Sequence, residues 1–204
     1  MKITLIGGSH GTGAALASRA QQAGHEVTIV SRSGGSVPGA RVITGDAAEP
    51  ATAAEAVSGA DAVVITVGGA KGKPLQRTAV TRSVVAAMEA AGTRRLLVQS
   101  SLGAGGSASQ LPGFFGYVTK VLLAKPLADH DQQEAVVQRS TLDWTIVRPT
   151  GLTDKEPLGR WTALEVTDEG KLTGSIPRGD LASFMLEALE DDWTIGKALG
   201  ISSR

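Results

Sequence analysis

Short apolar runs closed by glycine recur along the chain, with amphipathic stretches between them. Residues 2–6 form the first such run and read as a buried strand. Residues 13–23 are alanine-rich, with Leu16 and Ala20 at helical spacing and Gly24 as a stop. β-Branched residues predict a second strand over 26–31, and further short runs predict strands over 41–44 and 61–67. Helices are expected over 50–58 and 74–91; the second has proline near its start and Gly92 just past its end. Strands five and six are expected over 94–99 and 143–147. Between them lie a glycine- and serine-rich loop over 102–113 and helices over 114–124 and 127–139. In the tail, 161–166 fits an edge strand, 180–189 an amphipathic helix and 197–201 a last strand. Asp180, at a helix start, is expected to cap free N–H groups there.

Alternating strands and helices imply an α/β fold: a Rossmann-like, doubly wound, mainly parallel sheet with helices on both faces. The 204 residues show no linker or repeat, so residues 1–204 are expected to form a single domain. Hydrophobic residues are 42% and charged residues 20%, the balance of a globular chain. Lys+Arg and Asp+Glu are both 20, so the basic excess of a nucleic-acid binder is missing. No apolar run approaches the ~18 residues of a membrane span, and 1–8 is not a signal peptide. With no cysteine, disulfides, thiolate-held zinc and a cysteine nucleophile are excluded, which fits a cytoplasmic protein. His10, His25 and His130 are scattered, so no metal site is expected.

The first strand runs straight into Gly7-Gly8-Ser9-His10-Gly11-Thr12-Gly13 and then a helix. Such a turn lets backbone approach a pyrophosphate, while the helix N-terminus presents free N–H groups and a partial positive charge. NAD sites usually carry an acid at the end of the second strand; Ser31-Arg32-Ser33 stands there instead. A guanidinium and two hydroxyls suit the 2′-phosphate of NADP(H), the expected cofactor.

These residues resemble the atypical short-chain dehydrogenases/reductases of the NAD(P)-binding, NmrA-like group, and most of all the biliverdin reductase B/flavin reductase branch. The resemblance spans nearly the whole chain. Gly7, Ser9, Thr12 and Gly13 match the family turn, and Arg32 its NADP-selecting arginine. Gly45-Asp46-Ala47 matches the segment lying against the adenine, and Gln99-Ser100-Ser101 the polar triplet ending the fifth strand. The stretch from Leu142 to Pro149 resembles the family's DxTIVRP strand, and that from Ile176 to Ala182 its I-x-R-x-D-V-A helix start. Cofactor contacts are therefore expected from Gly7, Ser9, His10, Gly11, Thr12, Gly13, Arg32, Asp46, Ala47, Val67, Gly68, Gln99, Ser100, Pro149 and Thr150. His10 replaces the middle glycine of the turn and either meets phosphate or faces solvent. Thr150 stands where some flavin-reducing relatives carry a histidine.

Ser101, at the end of a central strand, is the first catalytic candidate. Tyr117 is the second; it lies in Tyr117-Val118-Thr119-Lys120, one residue short of the Tyr-x-x-x-Lys spacing. The alternative for Tyr117 is packing beside Phe114 and Phe115, and that loop is either an apolar lid or part of the packed domain. His130 and Glu134 read as solvated, and Trp144 and Trp193 as packing residues. The expected activity is hydride transfer from NADPH to a flavin, quinone or conjugated carbonyl, on a monomer or homodimer whose partner is a small-molecule acceptor. The alternative is a non-catalytic NADP(H)-sensing regulator. A sugar-nucleotide epimerase-like enzyme is disfavoured by the few residues beyond Pro149 and by the tyrosine–lysine spacing.

Overall fold

The computed structural model describes residues 1–35, 37–69, 75–111 and 124–204. Ten strands occur among them: β1 (Lys2–Ile6), β2 (Glu26–Ser31), β3 (Arg41–Thr44), β4 (Ala62–Ile65), β5 (Arg95–Gln99), β6 (Asp143–Pro149), β7 (Gly151–Thr153), β8 (Trp161–Leu164), β9 (Ser175–Pro177) and β10 (Lys197–Ser203). The described helices are α1 (Gly11–Gln22), α2 (Pro50–Val57), α3 (Gln76–Ala91), α4 (Ala124–Gln138) and α5 (Arg178–Glu190).

Eight strands make one sheet in the order β3-β2-β1-β4-β5-β6-β10-β8. All neighbours run parallel except β8, which lies antiparallel on β10 at the edge. The expected Rossmann-like α/β architecture is therefore present. The strand order reverses between β1 and β4, and in such sheets ligands sit beyond the strand ends at that point.

Side-chain alternation explains why both faces are covered. Ile3 and Leu5 of β1, with Ala62 and Val64 of β4, meet Leu16, Ala17 and Ala20 of α1 and Leu181 and Met185 of α5. Ile6, Val63 and Ile65 point the other way, onto Ala53 and Val57 of α2 and Val84 and Met88 of α3. A central strand such as β4 is buried at every position, which is why it reads as an unbroken apolar run.

Three details depart from the sequence reading, and one expectation falls outside the described residues. β7 and β9 form a small separate parallel pair that no apolar pattern announced, because each is three residues long. Asp180 is buried in the first turn of α5 but does not cap that helix; its carboxylate accepts from the backbone N–H groups of Leu158 (2.8 Å) and Gly159 (2.9 Å). It ties down the segment before β8 instead. Trp193 is 61% exposed, with Lys197 Nζ 3.3 Å from its ring centroid, whereas Trp144 packs against the second core. The expected helix over 114–124 lies almost wholly outside the described residues, as do Tyr117 and Lys120.

Candidate functional site

At the switch point β1 turns through Gly7 into α1. Gly7 has φ +89°, and a side chain there would crowd the backbone of Thr66 and Val67 at 3.2 Å. A Cβ on Gly13 would run into the Gly7 carbonyl and lie 2.6 Å from Thr66 Oγ1. The turn is thus closed against the end of β4, and Thr66 staples it by donating toward the Ile6 and Gly7 carbonyls at 3.3 Å each. α1 starts at Gly11 with no side-chain cap from His10 and no acid in its first turn. Its first N–H groups and positive dipole end are left for an anion, which fits a pyrophosphate.

A cleft of about 520 Å³ opens beside this turn and collects Gly7, Ser9, His10, Arg32, Asp46, Ala47, Val67 and Gly68. Thr12 and Gly13 are buried behind it in the first turn of α1. Ser9 Oγ lies 2.9 Å from His10 Nδ1 and 2.9 Å from Ser31 Oγ, and Ser33 continues the hydroxyl chain at 3.3 Å. The exposed Arg32 has no hydrogen bond or ion pair with any described residue. Asp46 accepts from Ala48 N (3.1 Å) and Gln76 Nε2 (3.2 Å), which orients the loop after β3.

A second cleft, of about 850 Å³, adjoins the first and shares Thr66, Val67 and Gly68 with it. It holds Gln99, Ser100, Ser101, Pro149 and Thr150 from the ends of β5 and β6, together with Leu102, Leu111, Leu152 and Leu172. Among the described residues, Ser101 Oγ makes only a 3.4 Å contact, to the Leu102 carbonyl. The described candidates thus lie along one trough or just behind it, except Gly11, which is exposed at the start of α1 and lines neither cleft. Tyr117 lies outside the described residues.

His130 and Glu134 are not solvated. Both are buried on α4 beneath the second cleft. Glu134 Oε1 accepts from Ser100 Oγ (2.5 Å) and Arg148 Nε (3.0 Å), and Oε2 from Arg148 Nη2 (2.6 Å). Arg148 Nη2 also reaches the Gly105 carbonyl at 3.2 Å. This buried fork joins β5, β6, α4 and the loop after β5. Asp131 Oδ1 holds the same loop through Gly105 N (2.7 Å), so its described half is pinned. Neither Glu134 nor Arg148 has a neighbour in sequence that signals the pairing.

Burial, reinforced by the nearby Arg77 charge, lowers the His130 pKa from 6.5 to about 4. Its imidazole is therefore neutral near pH 7. An unfolded chain takes up this proton first as pH falls, so the stabilising contribution is complete above about 6.5 and is lost toward pH 4. Thermal unfolding should show a lower Tm at pH 5 than at pH 7, and His130→Gln should shrink that difference.

Residues 7–192 match the family model described as NAD(P)H-binding. The chain belongs to this NAD(P)H-binding family. The match agrees with the resemblance to the atypical short-chain dehydrogenases/reductases. Among solved structures of the same fold, an anaerobilin reductase from Escherichia coli O157:H7 is 25% identical, with a TM-score of 0.84 over 100% of this chain and 97% of that one. The oxidoreductase YlbE from Lactococcus lactis is 20% identical, with a TM-score of 0.83 over 100% of this chain and 91% of that one. A short-chain dehydrogenase/reductase from Veillonella parvula in complex with NADP is 17% identical, with a TM-score of 0.81 over 99% and 94%. Within the described residues, no helix is long and apolar enough to cross a membrane.

Proposed function

We propose that the protein is an NADPH-dependent oxidoreductase acting on an electron-poor acceptor such as a flavin, quinone or conjugated carbonyl. The observation that carries this reading is the pair of adjoining clefts that share Thr66, Val67 and Gly68. The first is lined by glycines and by the Ser9, Ser31 and Ser33 hydroxyls and edged by a helix N-terminus; the second is wide and walled by leucines. When bound, NADPH supplies a hydride to the acceptor, and with a proton taken from water the acceptor is reduced and NADP⁺ is left.

The chain's own work is binding, orientation and exclusion of water. The turn from Gly7 to Gly13 holds the pyrophosphate, and Asp46 and Ala47 border the adenine end. Val67, Gly68, Pro149 and Thr150 frame the far end of the dinucleotide, with Gln99 and Ser100 beneath it. Ser101, whose hydroxyl is nearly uncommitted, orients the nicotinamide amide or the acceptor. Hydride addition to a quinone or flavin needs no strong protein acid, which suits a site whose buried His130 is neutral.

Arg32 supports the choice of NADPH. Its guanidinium stands unpaired among the described residues at the rim of the first cleft, and the Ser9–Ser31–Ser33 hydroxyls lie beside it. Arg32→Ala should weaken NADPH by about 1.5–3 kcal/mol, the scale of a hydrogen bond to a charged group, and leave NADH unchanged. Titration with both cofactors checks this, and equal losses would remove Arg32 from 2′-phosphate recognition. Turnover is tested by following NADPH oxidation with a panel of flavins and quinones. Tight NADPH binding with no acceptor reduced would favour the sensing role instead.

A further inference from the structure

We infer that the imidazole of His10 is a second ligand of the NADPH 2′-phosphate, beside Arg32. This rests on the NADPH reading above and adds a residue that stands where the family turn has glycine. Torsions of −145° and 162° put His10 in extended backbone just ahead of α1, and its side chain makes no capping hydrogen bond to that helix. The ring turns instead toward the loop that follows β2. Its Nδ1 lies 2.9 Å from Ser9 Oγ, and a Cβ on Gly35 would stand 3.4 Å from Cε1. His10 and Arg32 are both exposed, and both line the first cleft. Nε2 of His10 has no partner among the described residues.

A chain of hydroxyls ties this ring to the residues that flank Arg32. Ser9 Oγ lies 2.9 Å from Ser31 Oγ, and Ser31 Oγ lies 3.3 Å from Ser33 Oγ. Where Ser9 donates to Nδ1, a neutral imidazole carries its proton on Nε2; a protonated ring carries one on each nitrogen. Both forms present an Nε2–H donor, and an anion in the cleft favours them over a bare Nε2. The contact with Ser9 also fixes the direction of the ring, so that little side-chain freedom is left to lose when the ligand arrives.

The two phosphate positions make different demands. The pyrophosphate is served by the first N–H groups of α1, and the His10 side chain makes no hydrogen bond there. A terminal phosphate offers three acceptor oxygens, of which a guanidinium fork engages two. Arg32 therefore leaves one oxygen for a further donor, and His10 with the serine hydroxyls is the polar group nearest at hand. Asp46, the carboxylate among the described lining residues, is held on the far side by Ala48 N and by Gln76 of α3, which bond its Oδ1.

Calorimetric titration of two ligand pairs tests this. NADPH is compared with NADH, and adenosine 2′,5′-bisphosphate with adenosine 5′-monophosphate; the second pair has neither pyrophosphate nor nicotinamide. His10→Ala should weaken NADPH and the bisphosphate about five- to tenfold, the scale of one hydrogen bond, and NADH and the monophosphate less than twofold. His10→Gln, which keeps an N–H donor, should fall between. The position is exposed and its extended backbone suits any residue, so both variants should keep the wild-type Tm. Equal losses for NADPH and NADH would place His10 at the pyrophosphate and overturn the inference. So would a 2′-phosphate preference that survives His10→Ala unchanged, which leaves Arg32 as its reader. Equal affinity of the wild type for bisphosphate and monophosphate would remove the NADPH reading and the inference with it. A His10-dependent preference in a protein that reduces no acceptor would refute the redox reading and leave the phosphate ligand standing.

Discussion

Gly13→Val is expected to abolish dinucleotide binding altogether. Any side chain at this position would collide with the Gly7 carbonyl and Thr66 Oγ1, and would come within 2.9 Å of Gly8 Cα. These are backbone or firmly bonded atoms, so the turn itself must open, and the close approach of its N–H groups to phosphate goes with it. Because such a variant also strains the fold, Gly11→Asp is the companion test. Gly11 is exposed, and a Cβ there meets only the Arg178 side chain, at 3.4 Å. Aspartate tolerates the φ of +55° better than most residues and lies next to a cation, so the variant should fold. It places a negative charge at the helix start that the phosphates require. Both NADPH and NADH should bind at least a hundredfold more weakly while the Tm stays within a few degrees of wild type. Unchanged affinity in folded Gly11→Asp would remove the phosphate turn from the site.

The largest stability effect is expected at the buried fork of Glu134 and Arg148. Their exposures are 1% and 2%. Glu134→Ala leaves a guanidinium buried without its carboxylate, a situation that costs about 3–5 kcal/mol. Urea unfolding should register a loss of that size. Replacing both partners with apolar residues, as in Glu134→Leu/Arg148→Met, should restore most of it, since desolvation of the pair is then avoided as well. The double variant still deprives Ser100 Oγ of its acceptor and the Gly105 carbonyl of its donor. If Glu134→Ala costs under about 1 kcal/mol, the fork is not the buried pair that its geometry describes. Gly105→Ala offers an independent probe, because the added methyl would strike both Arg148 Nη2 and Glu134 Oε2.

Local sequence was sufficient where one element carries the whole signal. The apolar strands β1, β4 and β5, the glycine turn into α1, and the Gly92 stop of α3 each declare themselves within a few residues. The first cleft was legible for the same reason: most of its wall is the ends of β1, β2, β3 and β4, each followed by a recognisable loop, with Gln76 and Val80 of α3 closing it. The boundaries shifted modestly, with α1 starting at Gly11 rather than 13.

Groups whose meaning depends on a distant partner were not legible. His130 and Glu134 sit on α4, a helix of weakly segregated polarity, and read as solvated until β5, β6 and the loop after β5 close over them. Arg148 was visible only as part of a strand motif, and its role follows from packing against Glu134, fourteen residues away. Arg77 and Asp129 are fifty-two positions apart, and nothing near either one predicts their pairing. Asp180 looked like a helix cap because it stands where caps stand, yet its oxygens turn to the backbone of Leu158 and Gly159. Periodicity and turn residues are properties of neighbours along the chain, so the sequence by itself determined the alternation of strands and helices and the phosphate turn. Desolvation and charge pairing depend on what the fold brings together, so only the tertiary structure decided which polar groups are buried and what the second cleft presents to a ligand.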